Sequence, residues 1–264
     1  MTDPGPAVPA ANPSDLAFAT ELARIAGDST LKWFQNPDLD VGHKTDGTPV
    51  TRADLAAETL VREQLRSAFG DDAVMGEEHH DESGTTGRTW IVDPIDGTKA
   101  FARGVPLYAT LIALVDEHGP AVGVIYLPAL GEVVAAGRGR GATVNDRPCA
   151  VSTTRLLEEA YVMTSGFGYW PDAALQRLHQ SPATVRTWGD AYGYALVATG
   201  RADAMIDPQA NPWDLAPMSV IITEAGGKFS AASGDVGSDT WARGSGVASN
   251  GHIHDNLIER VQPY

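Results

Sequence analysis

Trp90-Ile91-Val92-Asp93-Pro94-Ile95-Asp96-Gly97-Thr98 is the stretch from which the fold and its chemistry are read outward. An apolar run of strand character ends in a carboxylate and turns at once. Pro94 fixes one backbone angle and Gly97 lacks a side chain, so the main chain here can approach a ligand closely. Asp96 adds a second carboxylate at the turn. Gly97, Thr98 and Lys99 then offer N–H groups at the start of a short helix, where anions are favoured. Two adjacent carboxylates repel unless a cation lies between them, and hard divalent cations take oxygen ligands. The local chemistry reads as a metal beside a phosphate.

Upstream, Gly76-Glu77-Glu78 follows the apolar pair Val74-Met75. Downstream, Trp213-Asp214 falls in the first turn of a helix expected over Pro212–Ala225. Taken singly, Asp214 reads as an acid stabilising a helix N-terminus and Glu77-Glu78 as a solvated loop. Asp54, in Thr51-Arg52-Ala53-Asp54, reads as a capping-box-like acid after Thr51. It also stands seven residues before Val61 and eleven before Leu65, at the head of an inward-facing helical row. Both readings of Asp54 hold at once.

Around this centre, helical spacing predicts two opening helices, one from an N-cap at Ser14 to about Asn36 and one from Thr51 to before Gly70. Short apolar runs at 90–92, 107–115, 121–127, 132–136 and 142–144, joined by turn-sized connections, predict a meandering antiparallel sheet. Beyond Pro148 strands and helices alternate, with helices expected near 172–179, 190–199, 212–225 and 252–261. The expected organisation is a disordered Pro-rich leader over 1–13, an N-terminal α+β subdomain over 14–150 and a C-terminal α/β subdomain over 151–264 that supplies Asp214.

The 264 residues carry 19 Lys and Arg against 34 Asp and Glu, a net charge of −15. That balance argues against a nucleic acid or an anionic membrane as main partner. No window of 18 residues escapes charge, so no membrane span is expected, and the leader lacks the basic and apolar regions of a secretory signal. Cys149 stands alone, without a partner for a disulfide or a cysteine metal cluster, and the expected setting is the cytoplasm.

Together these segments resemble the inositol monophosphatase-like family of magnesium-dependent, lithium-sensitive phosphomonoesterases. Its pattern of Gly-Glu-Glu, Asp-Pro-Ile-Asp-Gly-Thr, Trp-Asp-x-Ala-Pro/Ala and Glu-Ala-Gly-Gly stands here at 76–78, 93–98, 213–217 and 224–227, within a likeness running from about 15 to 260. The resemblance implies an α+β fold, a layered α-β-α-β-α sandwich of the inositol monophosphatase and sugar phosphatase type. It implies two or three Mg²⁺ held by Glu77, Asp93, Asp96, Asp214 and the Ile95 carbonyl, with Glu78 nearby. It gives Asp54, Glu77 and Thr98 catalytic roles and Gly97 and Thr98 the phosphate, and it makes the loop of Lys44 one that closes over the metals. Hydrolysis by metal-activated water, a small phosphate ester as partner and a homodimer are implied as well.

The segments 188–194 and 207–214 resemble the histidinol-phosphatase branch of the family. Where the inositol branch usually has Ser or Thr, this chain has Asp190. Asp190 and Asp207 suit the ammonium and imidazole of histidinol better than neutral inositol. Their plainer readings are an N-cap and a strand-end turn. L-Histidinol phosphate is therefore the expected substrate. Inositol 1-phosphate is the alternative, with fructose 1,6-bisphosphate and nucleotide 3′-phosphates behind it. Gly137-Arg138-Gly139-Arg140-Gly141 joins two expected strands and reads as a hairpin turn. His79, His80, His252 and His254 read as solvated loop or helix-start histidines, and Tyr192 and Tyr194 as packing or pocket wall.

Overall fold

The computed structural model describes residues 8–44 and 47–262. Helix α1 (Pro13–Thr30) is followed by a small antiparallel ribbon, β1 (Val41–His43) and β2 (Pro49–Thr51), and by α2 (Arg52–Phe69). A seven-stranded sheet comes next: β3 (Ala73–Gly76), β4 (Thr89–Asp96), then, after the short α3 (Thr98–Ala102), β5 (Ala109–Asp116), β6 (Gly119–Leu127), β7 (Glu132–Gly137), β8 (Gly141–Val144) and β9 (Arg147–Pro148). Its strands lie in chain order. Only β3 and β4 run parallel.

The remaining elements are β10 (Tyr161–Met163), α4 (Asp172–His179), β11 (Thr184–Arg186), α5 (Asp190–Ala198), β12 (Ala204–Asp207), α6 (Pro212–Glu224), β13 (Lys228–Ser230), β14 (Gly246–Ser249) and α7 (His254–Val261). They form a five-stranded sheet of order β11-β10-β12-β14-β13, parallel on the β10 side and antiparallel around β14.

The layering follows from the two-residue period of the strands. One face of the large sheet, with Trp90, Val92, Ile112 and Val124, packs on Leu22, Ala26, Val61 and Leu65 of α1 and α2. The other, with Leu111, Ile125 and Val134, packs on Ala195, Leu215 and Ile221 of α5 and α6, which also meet Met205 and Ala248 of the small sheet. The far face of that sheet, with Val162, Ile206 and Val247, is covered by Leu178 and Leu257 of α4 and α7. The result is the expected α-β-α-β-α sandwich. The alternation that buries Trp90 and Val92 toward α1 and α2 turns Asp93 toward α6.

Three expectations need correction. The cap of α1 is Asn12, whose Oδ1 accepts from the Ser14 N–H (3.1 Å), with Pro13 at the first helical position; the helix ends at Thr30, before turns at residues 31–35. Residues 1–7 of the expected leader lie outside the described residues, but Pro9–Asn12 are not disordered. Ala11 is buried, its N–H donates to Arg138 O, and the Pro9 and Ala11 carbonyls accept from the Arg138 and Arg140 side chains. The prolines hide this docking because they leave the segment without periodicity.

The third correction is partial: His254 does stand at a helix start, as the first residue of α7, but it is buried rather than solvated (1 % exposed). Ser230 Oγ gives its proton to the Ala231 carbonyl, so His254 Nε2–H donates to Ser230 (2.9 Å) and Nδ1 accepts from Ser249 (2.8 Å). Burial, reinforced by Lys228 and opposed by Asp255, lowers its pKa to about 4. The unfolded chain takes up this proton near pH 6.5. Stability from this group is therefore complete above pH 6.5 and is lost as pH falls toward 4, by up to ~3 kcal/mol. Denaturant unfolding of wild type and His254→Asn between pH 7 and 4 is expected to show a stability difference that shrinks with acid; a constant difference contradicts this assignment.

Candidate active site

The centre forms where β4 runs out. The Asp93 Oδ1 accepts from the Ile95 N–H (3.1 Å), and Thr98 Oγ1 donates to the Ile95 carbonyl (3.1 Å), so the turn is tied to itself. Gly97 heads α3 at φ 79°, a left-handed conformation that glycine adopts without strain. A Cβ there would also stand 3.3 Å from Asp190 Oδ2, so this glycine lets α5 come close.

Asp214 reaches the same place from the first turn of α6. Its Oδ2 accepts from the Asn211 N–H (2.7 Å), so the helix-end reading of Asp214 is correct and leaves the other oxygen for a second purpose. Carboxylate oxygens of Asp93, Asp96 and Asp214 lie within 4.8 Å of one another. Burial, then the neighbouring carboxylates, raise the Asp93 and Asp96 pKa values well above the usual range and bring Asp214 to about 7. Carboxylates packed this closely repel one another, and a positive charge between them would favour their ionised forms.

Lys44 joins Glu77 (2.6 Å) and Glu78 (2.8 Å). Burial alone would lower the Lys44 pKa, yet its two partners outweigh that and raise it; burial brings Glu78 to about 7. Asp54 is both of the things its position allowed. One oxygen accepts from the Thr51 N–H (2.8 Å) and hydroxyl (2.5 Å) as a helix cap. The other, Oδ1, is buried with no hydrogen-bond partner, and burial raises the group to about 6.

A cavity of about 230 Å³ opens from this centre, lined among others by Asp96, Asp190, Asp207 and Asp214. Asp190 is the first residue of α5 and Gly189 its N-cap, so Asp190 is not a cap; it holds φ 51°, left-handed and uncommon outside glycine. Asp207 ends β12 and accepts from Ser165 Oγ (2.7 Å) and Tyr194 OH (3.0 Å), while burial brings it to about 6. Ser165 also accepts from the Asp190 N–H (2.9 Å), and the Ala191 N–H donates to Asp96 Oδ2 (2.6 Å). Lys99 Nζ donates to Tyr169 OH (2.6 Å) at the cavity wall.

Gln209 and Asn211, from the segment 207–214, line this cavity, and so does Ser165, which the sequence motifs did not include. The available signal was positional, since Ser165 lies just past the carboxyl end of β10, where open α/β sheets place ligands.

The profile of the Inositol monophosphatase family matches residues 12–264. The chain belongs to this family. It is 44 % identical over 217 residues to a histidinol-phosphatase of Chlorobaculum parvum, covering 81 % of this chain and 84 % of that one. It is 41 % identical to a histidinol-phosphatase of Mycobacterium tuberculosis, over 94 % and 97 % of the two chains. Among solved structures, an IMPase of Thermotoga maritima superposes with a TM-score of 0.86 at 31 % identity, over 94 % and 96 %. No helix among the described residues is long and apolar enough to cross a membrane.

Proposed function

We propose that this protein is a Mg²⁺-dependent phosphomonoesterase that hydrolyses L-histidinol phosphate to L-histidinol and phosphate. One observation carries the substrate: Asp190 and Asp207 line the same cavity as Asp96 and Asp214. Such a wall favours a leaving group with an ammonium and a protonatable imidazole. It opposes a second phosphate, which sets fructose 1,6-bisphosphate and nucleotides with further phosphates aside. The histidinol-phosphatase names of two relatives support the same reading.

An all-oxygen donor set with a buried, unpartnered Asp54 oxygen fits a hard divalent cation. Asp93, Asp96 and Asp214, with Glu77 and the Ile95 carbonyl, would hold it. When bound, the cation supplies positive charge against the phosphate and the departing alkoxide. Gly97 and Thr98 present main-chain N–H groups to the phosphate oxygens. Thr98 Oγ1 and Glu77 orient the attacking water and Glu77 takes its proton; Lys44 holds Glu77 for that task. Asp54 fixes the start of α2 through Thr51 and turns its free oxygen to the centre. Asp190 and Asp207 hold the cationic end of the leaving group. Two or three Mg²⁺ per site, a cytoplasmic setting and a homodimer belong to this reading through the family resemblance.

Inositol 1-phosphate is the second reading, since its hydroxyls could donate to the same two carboxylates, and the Thermotoga neighbour is named an IMPase. A panel of phosphate esters assayed with Mg²⁺ and with EDTA separates the two. Histidinol phosphate is expected to exceed inositol 1-phosphate in kcat/KM by at least about tenfold, ~1.4 kcal/mol, with no turnover in EDTA. The reverse order overturns the substrate, and undiminished turnover in EDTA overturns the metal.

A further inference from the structure

Beneath the Glu77-Glu78 turn lies a charged pair that the reaction as described does not use. Glu58 of α2 is fully buried and Arg62, one turn on, is 5 % exposed. Glu58 Oε1 accepts from Arg62 Nε (2.8 Å) and the His79 N–H (3.2 Å), and Oε2 accepts from the Glu78 N–H (2.7 Å). Arg62 donates through Nη2 to the His79 carbonyl (3.3 Å) and through Nη1 to Glu82 (3.2 Å).

A buried ion pair is seldom the most stable filling of a core, because desolvating both charges offsets their attraction. What this pair does hold is backbone: the N–H groups of Glu78 and His79 and the carbonyl of His79. The side chains that meet Lys44 leave from this same segment. The glycine before them follows from Glu58 as well. Gly76 does not have a positive φ, but a Cβ on it would fall 2.1 Å from Glu58 Oε1 and 2.9 Å from Arg62 Nη2. The glycine of the Gly-Glu-Glu motif is there to admit the Glu58 carboxylate.

We propose that Glu58, charge-balanced by Arg62, is a positioning residue that sets the Glu77-Glu78 turn so that Glu77 is presented to the Asp93 end of the acid group. This rests on the reading in which Glu77 helps hold the divalent cation. Gln at position 58 keeps one carbonyl oxygen and cannot serve both backbone donors and Arg62 at once. Outer partners that orient ligands typically contribute 10–100-fold in metal affinity.

The test is Mg²⁺ binding to the full chain by titration calorimetry, with kcat at saturating Mg²⁺ measured beside it. Glu58→Gln and Gly76→Ala are each expected to raise the Mg²⁺ dissociation constant by about tenfold or more and, because Glu77 also takes the proton of the attacking water, to lower kcat at saturating Mg²⁺ by less than Glu77→Gln does. Should Glu58→Gln fold poorly because Arg62 is left unpaired, Glu58→Gln with Arg62→Met removes that buried charge; it is expected to fold and still bind Mg²⁺ weakly. A wild-type dissociation constant in any folded Glu58 variant overturns the proposal, whatever its stability. Glu77→Gln is the control. If it too binds Mg²⁺ like wild type, the cation reading of Glu77 fails; if it binds weakly beside an unaffected Glu58→Gln, only the positioning role fails.

Discussion

Asp214→Asn is expected to lower kcat by about three decades and, in the same protein freed of metal, to raise stability at pH 8. The loss of activity follows from charge. A neutral amide is a poor ligand for a hard cation, and the transition-state stabilisation such a cation provides, several kcal/mol, amounts to about three decades at 1.36 kcal/mol each. The fold should survive, because the Asn oxygen can still accept from the Asn211 N–H that Asp214 Oδ2 binds at 2.7 Å.

The gain in stability follows from the raised pKa. Burial first, then the charges of Glu77, Asp207 and Asp190, bring Asp214 to about 7 against 3.8 for the free group. A carboxylate raised on folding contributes stability that is present below its unfolded pKa and lost as pH rises through the folded one. Metal-free wild type should therefore gain stability as pH falls from 8 to 5, and Asp214→Asn should start higher and show a shallower slope. A difference of ~1 kcal/mol corresponds to about 2–4 °C in Tm for a chain of this size class. Mg²⁺ should raise the Tm of wild type at pH 8 and barely move that of the variant. Wild-type turnover at low Mg²⁺, or a metal-free variant less stable than wild type at pH 8, would remove Asp214 from the acid group.

What the sequence could and could not disclose follows from the range of each interaction. The meander from β4 to β8 was legible because strands and tight turns leave their period and their glycines in consecutive residues. Strand β3 was missed: Ala73–Gly76 has four residues, and its pairing with β4 is parallel and therefore not signalled by a turn. The acidic motifs were legible as chemistry, yet their meeting depends on α6 crossing the sheet face onto which Asp93 points. Nothing local encodes the Ser165, Tyr194 and Asp207 bonds, the burial of His254, or Glu58 beneath the Gly76-Glu77-Glu78 turn. The run Gly137–Gly141 proved to be the expected hairpin, with one addition: the N–H groups of Gly139, Arg140 and Gly141 all donate to the Glu224 carboxylate at the end of α6. The anion that this glycine turn binds is the protein's own.

Specificity is where one atom's charge should tell most. Asp190→Asn is expected to lower kcat/KM for histidinol phosphate by one to two decades while changing turnover of inositol 1-phosphate by less than about threefold, the gap reflecting a charge-assisted contact of roughly 1.5–3 kcal/mol. Asn is the informative substitution because Asp190 stands at φ 51°, a conformation Asn tolerates and Ser or Ala would strain. It also keeps the shape beside Gly97, where the Asp190 carboxylate lies 3.3 Å from the position of a Cβ. The Asp190 N–H would go on donating to Ser165, so the anchor of Asp207 would be retained. Only the charge changes. Burial raises the pKa of Asp190, the Ser165 hydrogen bond and the Lys99 charge favour its ionised form, and an incoming ammonium would stabilise that form further. The loss for histidinol phosphate should accordingly shrink in high salt, whereas a loss caused by a displaced helix would not. Equal losses for both esters would make Asp190 a structural residue of α5 and leave the histidinol reading to Asp207 alone.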